Sequence, residues 1–143
     1  MTAEFALLIN YLIICLAIVI CDLKWRIIPD VLTIPGTLFA FIINSTDTNL
    51  VGFEQSGIGY IVGGLSILLA GMLCFLISRK DALGGGDLKL LAMIGAFWGW
   101  KVALTTFAIA PFAGAIYAMT FNKTRLPYGI FLIGASWMSL LIG

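Results

Sequence analysis

Four aspartates, Asp22, Asp30, Asp81 and Asp87, lie among or beside the apolar runs of this chain, and two of them have contexts that could do chemistry. Asp22 directly follows Ile-Val-Ile-Cys. Asp87 follows three glycines, Gly84, Gly85 and Gly86, and leads straight into another apolar run. A carboxylate at the mouth of a membrane helix is costly to place. Adjacent glycines discard side chains and accept positive φ, so another element can come close to the backbone. Two partly desolvated carboxylates held together share one proton and titrate as a pair. One can then activate a water as general base. The other, protonated, can donate to a carbonyl oxygen as it becomes an oxyanion. Peptide hydrolysis by such a pair needs no histidine, metal or thiol.

Each acid also has a plainer reading. Asp30 follows Pro29 and reads as a helix N-cap. Asp81, beside Arg79 and Lys80, reads as a solvated loop charge. Asp22 could be a membrane-edge charge balanced by Lys24 or Arg26, and Asp87 an N-cap favoured by the helix dipole. Lys89 is most simply a basic anchor at the membrane surface, with pairing to a carboxylate or phosphate as a second role.

Composition limits what else the chain can do. Of its 143 residues, 62% are hydrophobic and 10% charged. A soluble domain is nearer half apolar and a quarter charged, so the expected class is an all-α integral membrane protein, residues 1–143 forming one membrane-embedded domain in contact with the bilayer. Histidine is absent, which removes Ser-His-Asp and Cys-His catalysis, histidine zinc sites and histidine-held haem. Cys15, Cys21 and Cys74 all lie in or at the edge of apolar runs and form no C-x-x-C pair, so they read as packing residues. Neither a metal nor a cofactor is expected. A net charge of +1 gives no argument for nucleic acid. The N-terminus has no basic region before its apolar run and no small-residue cleavage site after it, so 5–21 is read as a retained helix.

Six apolar segments position the acids, at about 5–21, 31–43, 58–77, 88–100, 102–121 and 127–142. The first, third and fifth are long enough to span a bilayer. The others fall short of the usual ~20 residues and would thin the bilayer or start in a protein-lined, wet cavity. A bundle of about six transmembrane helices, some short, is expected. The charges support the count. With alternating segments, Lys24, Arg26, Arg79, Lys80, Lys89, Lys123 and Arg125 share one face and only Lys101 lies on the other. The basic face is expected to be cytoplasmic. Asp22 and Asp87 then meet at that face, and Glu4, Asp47, Glu54 and both termini lie outside. The polar stretch 44–57 is expected to be external and irregular. Gly59-x-x-x-Gly63, Gly95-x-x-x-Gly99 and the Ala110, Gly114, Ala118 series read as helix-packing seams. Pro111 is expected to kink its helix locally.

These residues resemble a known family. Gly84-Gly85-Gly86-Asp87 fits the Gly-x-Gly-Asp motif of membrane aspartic proteases, and the run through Leu88-Lys-Leu-Leu-Ala-Met-Ile-Gly95 is similar to the bacterial type IV prepilin peptidases. So is Asp22-Leu-Lys-Trp-Arg-Ile-Ile-Pro-Asp30. Leu126-Pro-Tyr-Gly-Ile-Phe-Leu-Ile-Gly-Ala135 resembles the family's C-terminal Pro-Phe-Gly-Pro-Phe-Leu segment, with Ile130 in place of the second proline. The resemblance implies that Asp22 and Asp87 are the catalytic pair. It also implies that the active site faces the cytoplasm of a bacterial inner membrane; beside that, Gly84, Gly85 and Gly86 are expected to leave room for an extended substrate backbone, with Lys89 as a supporting residue. The implied substrates are prepilins or pseudopilins, with a basic leader ahead of a hydrophobic helix. Longer family members carry paired cysteines linked to N-methylation. This chain has none, so cleavage without methyl transfer or zinc is expected, as in the short peptidases of Flp/Tad-type pili. Two other classes stay open on the residues alone. One is a lipid-modifying enzyme with a metal held by the two acids; the other is a small transporter or assembly subunit that uses them for ion coupling.

Overall fold

Without water to bond to, the backbone of an apolar run must satisfy its own polar groups, and in a single segment only a helix does so. A computed structural model describes residues 2–46, 50–79, 85–122 and 128–142. Among these residues the chain is all α, with no strand: α1 (Ala3–Trp25), α2 (Asp30–Thr46), α3 (Phe53–Ser78), α4 (Gly85–Trp98), α5 (Trp100–Phe121) and α6 (Tyr128–Ile142). The helices α1, α3 and α5, of 23, 26 and 22 residues, are long and apolar enough to cross a membrane. This is an all-α membrane protein, and the alternation of long and short helices follows the lengths of the apolar runs.

The short helix α4 is the centre of the bundle. Every residue from Leu90 to Phe97 is buried. A helix apolar on all sides belongs inside other helices, and that accounts for its brevity: α4 meets protein rather than lipid over this stretch. The outer helices carry large exposed side chains, among them Leu16 and Ile20 on α1, Leu65 and Leu69 on α3, and Phe112 and Ile116 on α5. Lipid takes up such surfaces where water would not.

Small residues set the closest contact. A Cβ on Gly59 would lie 2.1 Å from the Gly95 carbonyl oxygen, and one on Gly95 would lie 2.0 Å from that of Gly59. A Cβ on Gly63 would lie 2.5 Å from the Leu91 oxygen. Thus α3 and α4 touch backbone to backbone along the glycine seam. On α5, Ala103, Thr106, Ala110 and Gly114 form the buried stripe. Both α2 and α5 run on through their internal prolines, Pro35 and Pro111.

The irregular stretch expected over 44–57 is largely helical instead. Residues 44–46 end α2 and 53–57 begin α3, while Asp47 lies outside the described residues. The polar residues there are used inward. Asn44 Nδ2 donates to the Ala96 carbonyl at 3.0 Å, and Ser56 Oγ donates to the same oxygen. Carbonyls in the last turn of a helix lack intrahelical partners, and these side chains from α2 and α3 supply them to α4. Across the core, Tyr11 OH and Ser136 Oγ join α1 to α6 at 2.5 Å. Cys15 is buried and Cys21 and Cys74 partly so; all three are free thiols.

Candidate active site

At the other end of the bundle from Asn44, the C-terminal end of α1 meets the starts of α2, α4 and α6. They enclose a cavity of about 430 Å³. Its acidic lining residues are Asp22, Asp30 and Asp87, its basic ones Arg26 and Lys89. Ile27, Ile28, Gly85, Gly86 and Tyr128 complete it.

Asp22 stands in the last turn of α1. The helix continues past the apolar run and ends at Arg26, whose left-handed backbone (φ 53°) lets its N–H donate to the Asp22 carbonyl at 2.9 Å. That turn directs the Asp22 side chain inward, where the residue is 5% exposed. The Arg26 charge acts favourably on the carboxylate, as do the backbone amides of Gly129 and Ile130 at the start of α6. Oδ2 itself is buried with no hydrogen-bond partner among the described residues.

Asp87 lies in the first turn of α4, one turn short of the fully buried stretch, and is half-buried. The helix begins at Gly85, so Asp87 sits inside the first turn rather than at the cap, where the positive end of the dipole favours its charge. Tyr128 stands close enough to Asp87 to feel that charge. Hence the first turn of α6 touches both acids: Tyr128 is beside Asp87, and Gly129 and Ile130 face Asp22.

The glycines differ from one another. Among the described residues nothing stands within 4 Å of where a Gly85 side chain would go. Gly86 lets Ile28 close in, since a Cβ there would lie 3.1 Å from the Ile28 Cβ. Gly84 and Asp81 lie outside the described residues. Asp30 is the first residue of α2, and its carboxylate is engaged by Lys89 rather than by its own helix: Lys89 Nζ donates to both oxygens, at 2.6 and 2.7 Å. Among the described residues no three acidic or thiol side chains cluster as a metal site. The sequence offered a carboxylate as a second role for Lys89 but not Asp30 as the partner, and it gave no sign of the Ile28 contact or of the place of Gly129 beside Asp22. The Tyr128-Gly129 step within the C-terminal motif marked the segment but not that contact.

A family model described as the type IV leader peptidase family matches residues 9–119. The chain belongs to this family. Among curated relatives of this leader peptidase family member, the prepilin leader peptidase/N-methyltransferase of Stutzerimonas stutzeri is 33% identical over 135 residues, covering 90% of this chain and 46% of the relative. That of Pseudomonas aeruginosa is 31% identical with the same coverage. The protein of the same description from Dichelobacter nodosus is 33% identical over 143 residues, covering 97% and 49%. The chain therefore spans about half the length of the curated relatives it matches. No solved structure matches it. The span matched by the family model takes in Asp22 and Asp87 and stops before α6.

Proposed function

We propose that this protein is a membrane aspartic endopeptidase that removes the basic leader from type IV prepilin-like substrates, with Asp22 and Asp87 as its catalytic pair. One observation carries the reading: two acids separated in sequence by the whole of α2 and α3 line one cavity at the end of the bundle. Family membership supports a peptidase, and the names of the relatives supply the substrate class.

In this mechanism a water sits between the carboxylates. One takes its proton as the oxygen attacks the scissile carbonyl carbon. The other, protonated, donates to the carbonyl oxygen, giving a neutral tetrahedral intermediate. On collapse the C–N bond breaks, the first acid passes its proton to the leaving amine, and the second takes a proton back from an intermediate hydroxyl as the carbonyl reforms. Asp22, the more buried of the two, is held beside the α6 amides and Arg26. Asp87, less buried, meets the incoming chain first. Gly85 leaves room for an extended substrate backbone beside it.

The proposed orientation puts this end of the bundle at the cytoplasmic face. Lys24, Arg26, Arg79 and Lys89 all stand at this end of their helices, as basic residues on the inner side of a membrane do. A pilin's apolar helix then stays in the bilayer while its leader lies at the depth of the acids. Flp/Tad-type pilins are the proposed finer class.

Co-expression with a candidate prepilin, read by the gel shift of leader removal, tests the reading. Asp22→Asn and Asp87→Asn each abolish cleavage. A dyad variant that still cleaves at a substantial rate removes the assignment.

A further inference from the structure

The start of α6 carries a relationship that the two acids alone do not explain. Gly129 sits directly against the Asp22 carboxylate. A Cβ on it would lie 2.9 Å from Oδ2 and 3.4 Å from Cγ. It would also lie 3.1 Å from Ile28 Cδ1. Ile28 is buried and belongs to the short link between α1 and α2. Its other side meets α4, because its Cβ, Cγ1 and Cδ1 all stand 3.1–3.6 Å from the place of a Gly86 side chain. One isoleucine is thus wedged between two glycines, one next to Asp87 in sequence and the other against Asp22 in space.

Asp22 Oδ2 is buried and has no hydrogen-bond partner among the described residues. The carboxylate lies against Gly129, which in turn meets Ile28, with the backbone amides of Gly129 and Ile130 facing it from the α6 first turn. From this we infer that Gly129 is a positioning residue, whose missing side chain creates the seat of the Asp22 carboxylate against the wedge of Ile28. The inference rests on the proposed catalytic role of Asp22.

The geometry states what a methyl group would move. The nearest atom is the end of a short acidic side chain, not backbone, so the chain yields by rotating the carboxylate and the helices stay where they are. A displacement of this kind costs turnover rather than binding, since misplacing a reacting group by about 1 Å is worth up to ~100-fold in rate.

The experiment uses the full chain in detergent with a synthetic prepilin peptide spanning leader and helix. Gly129→Ala is expected to lower kcat by about tenfold or more with KM within about twofold of the parent. Gly134→Ala, five residues on in the same helix and with no described residue within 4 Å of the added methyl, is the control and keeps the parent kcat. Gly129→Ala combined with Ile28→Val removes Ile28 Cδ1 but leaves the carboxylate contact, so kcat stays low. A parent-like kcat in Gly129→Ala, or full recovery in the double variant, overturns the inference.

A second readout does not depend on catalysis. In a thermal-unfolding cycle, Gly129→Ala lowers Tm when Asp22 is present and less, or not at all, in an Asp22→Ala background. An equal loss in both backgrounds, or failure to fold in both, overturns the inference even if Gly129→Ala alone proves unstable. Failure of the catalytic reading looks different: Asp22→Asn would then cleave, while the unfolding cycle would still show the coupling.

Discussion

Lys89 Nζ bonds both carboxylate oxygens of Asp30, which fastens the first turn of α4 to the first residue of α2, two residues beyond Asp87. Both side chains are about half exposed, 46% and 51%, at the rim of the cavity. Exposed pairs of this kind are worth only ~0–1 kcal/mol, so the tether trims the geometry and does not hold the bundle together. Asp30→Asn is therefore expected to retain most cleavage, falling by less than about fivefold. Lys89→Met behaves similarly. The exchanged pair, Asp30→Lys with Lys89→Asp, recovers more activity than either single reversal if the pairing itself is what matters. Initial rates on one prepilin peptide measure all five variants. A loss in Asp30→Asn as complete as in Asp87→Asn would move Asp30 into the catalytic group.

The glycines before Asp87 separate by what stands opposite them. Gly85 lines the cavity with no described residue opposite it, so Gly85→Val is expected to fold normally and to reduce turnover by narrowing the room beside Asp87. A Val at 86 meets Ile28, which is already enclosed, and overpacking of that kind costs ~1–3 kcal/mol. Gly86→Val is accordingly expected to lower Tm as well as activity. Paired Tm and kcat measurements decide: full activity in Gly85→Val would show that no substrate chain passes there.

How much of this was legible depended on what each residue announces by its type. Run length gave α1, α3 and α5, because a bilayer sets a length and the chain must meet it. The charges sorted by face, and that sorting brought Asp22 and Asp87 to one end before any coordinates did. The central place of α4 was not legible. Leu90 to Phe97 has the composition of a lipid-facing run, and only packing tells a helix wrapped in protein from one wrapped in lipid. The stretch 44–57 misled for the opposite reason: Asn44 and Ser56 look like loop residues, yet they serve the Ala96 carbonyl from inside. Asp30 and Lys89 lie on different helices, and their pairing follows from the crossing of α2 and α4, which no local pattern encodes. Gly129 was silent because a glycine does not say what approaches it.

The seam between α3 and α4 gives the sharpest stability test. A methyl on Gly95 would stand 2.0 Å from the Gly59 oxygen and 2.4 Å from its carbonyl carbon, and one on Gly59 would stand 2.7 Å from the Gly99 carbonyl carbon. These obstacles are backbone, so no side chain can turn aside and α3 as a whole must move away from α4. Strain of this sort costs ~1–3 kcal/mol or more, and it displaces the helix that carries Asp87. Gly95→Ala is expected to lower Tm clearly and to reduce cleavage as a consequence. Gly64 lies on the same side of α3 one residue past the seam. A Cβ there would meet only Ala92 Cβ at 3.7 Å and Leu88 Cδ2 at 3.9 Å, ordinary contact distances. With Ala favoured over Gly inside a helix by up to ~1 kcal/mol, Gly64→Ala is expected to hold or raise Tm. Thermal unfolding of the two variants in the same detergent compares them directly. Equal Tm values would mean that α3 and α4 are not in backbone contact at Gly59 and Gly95.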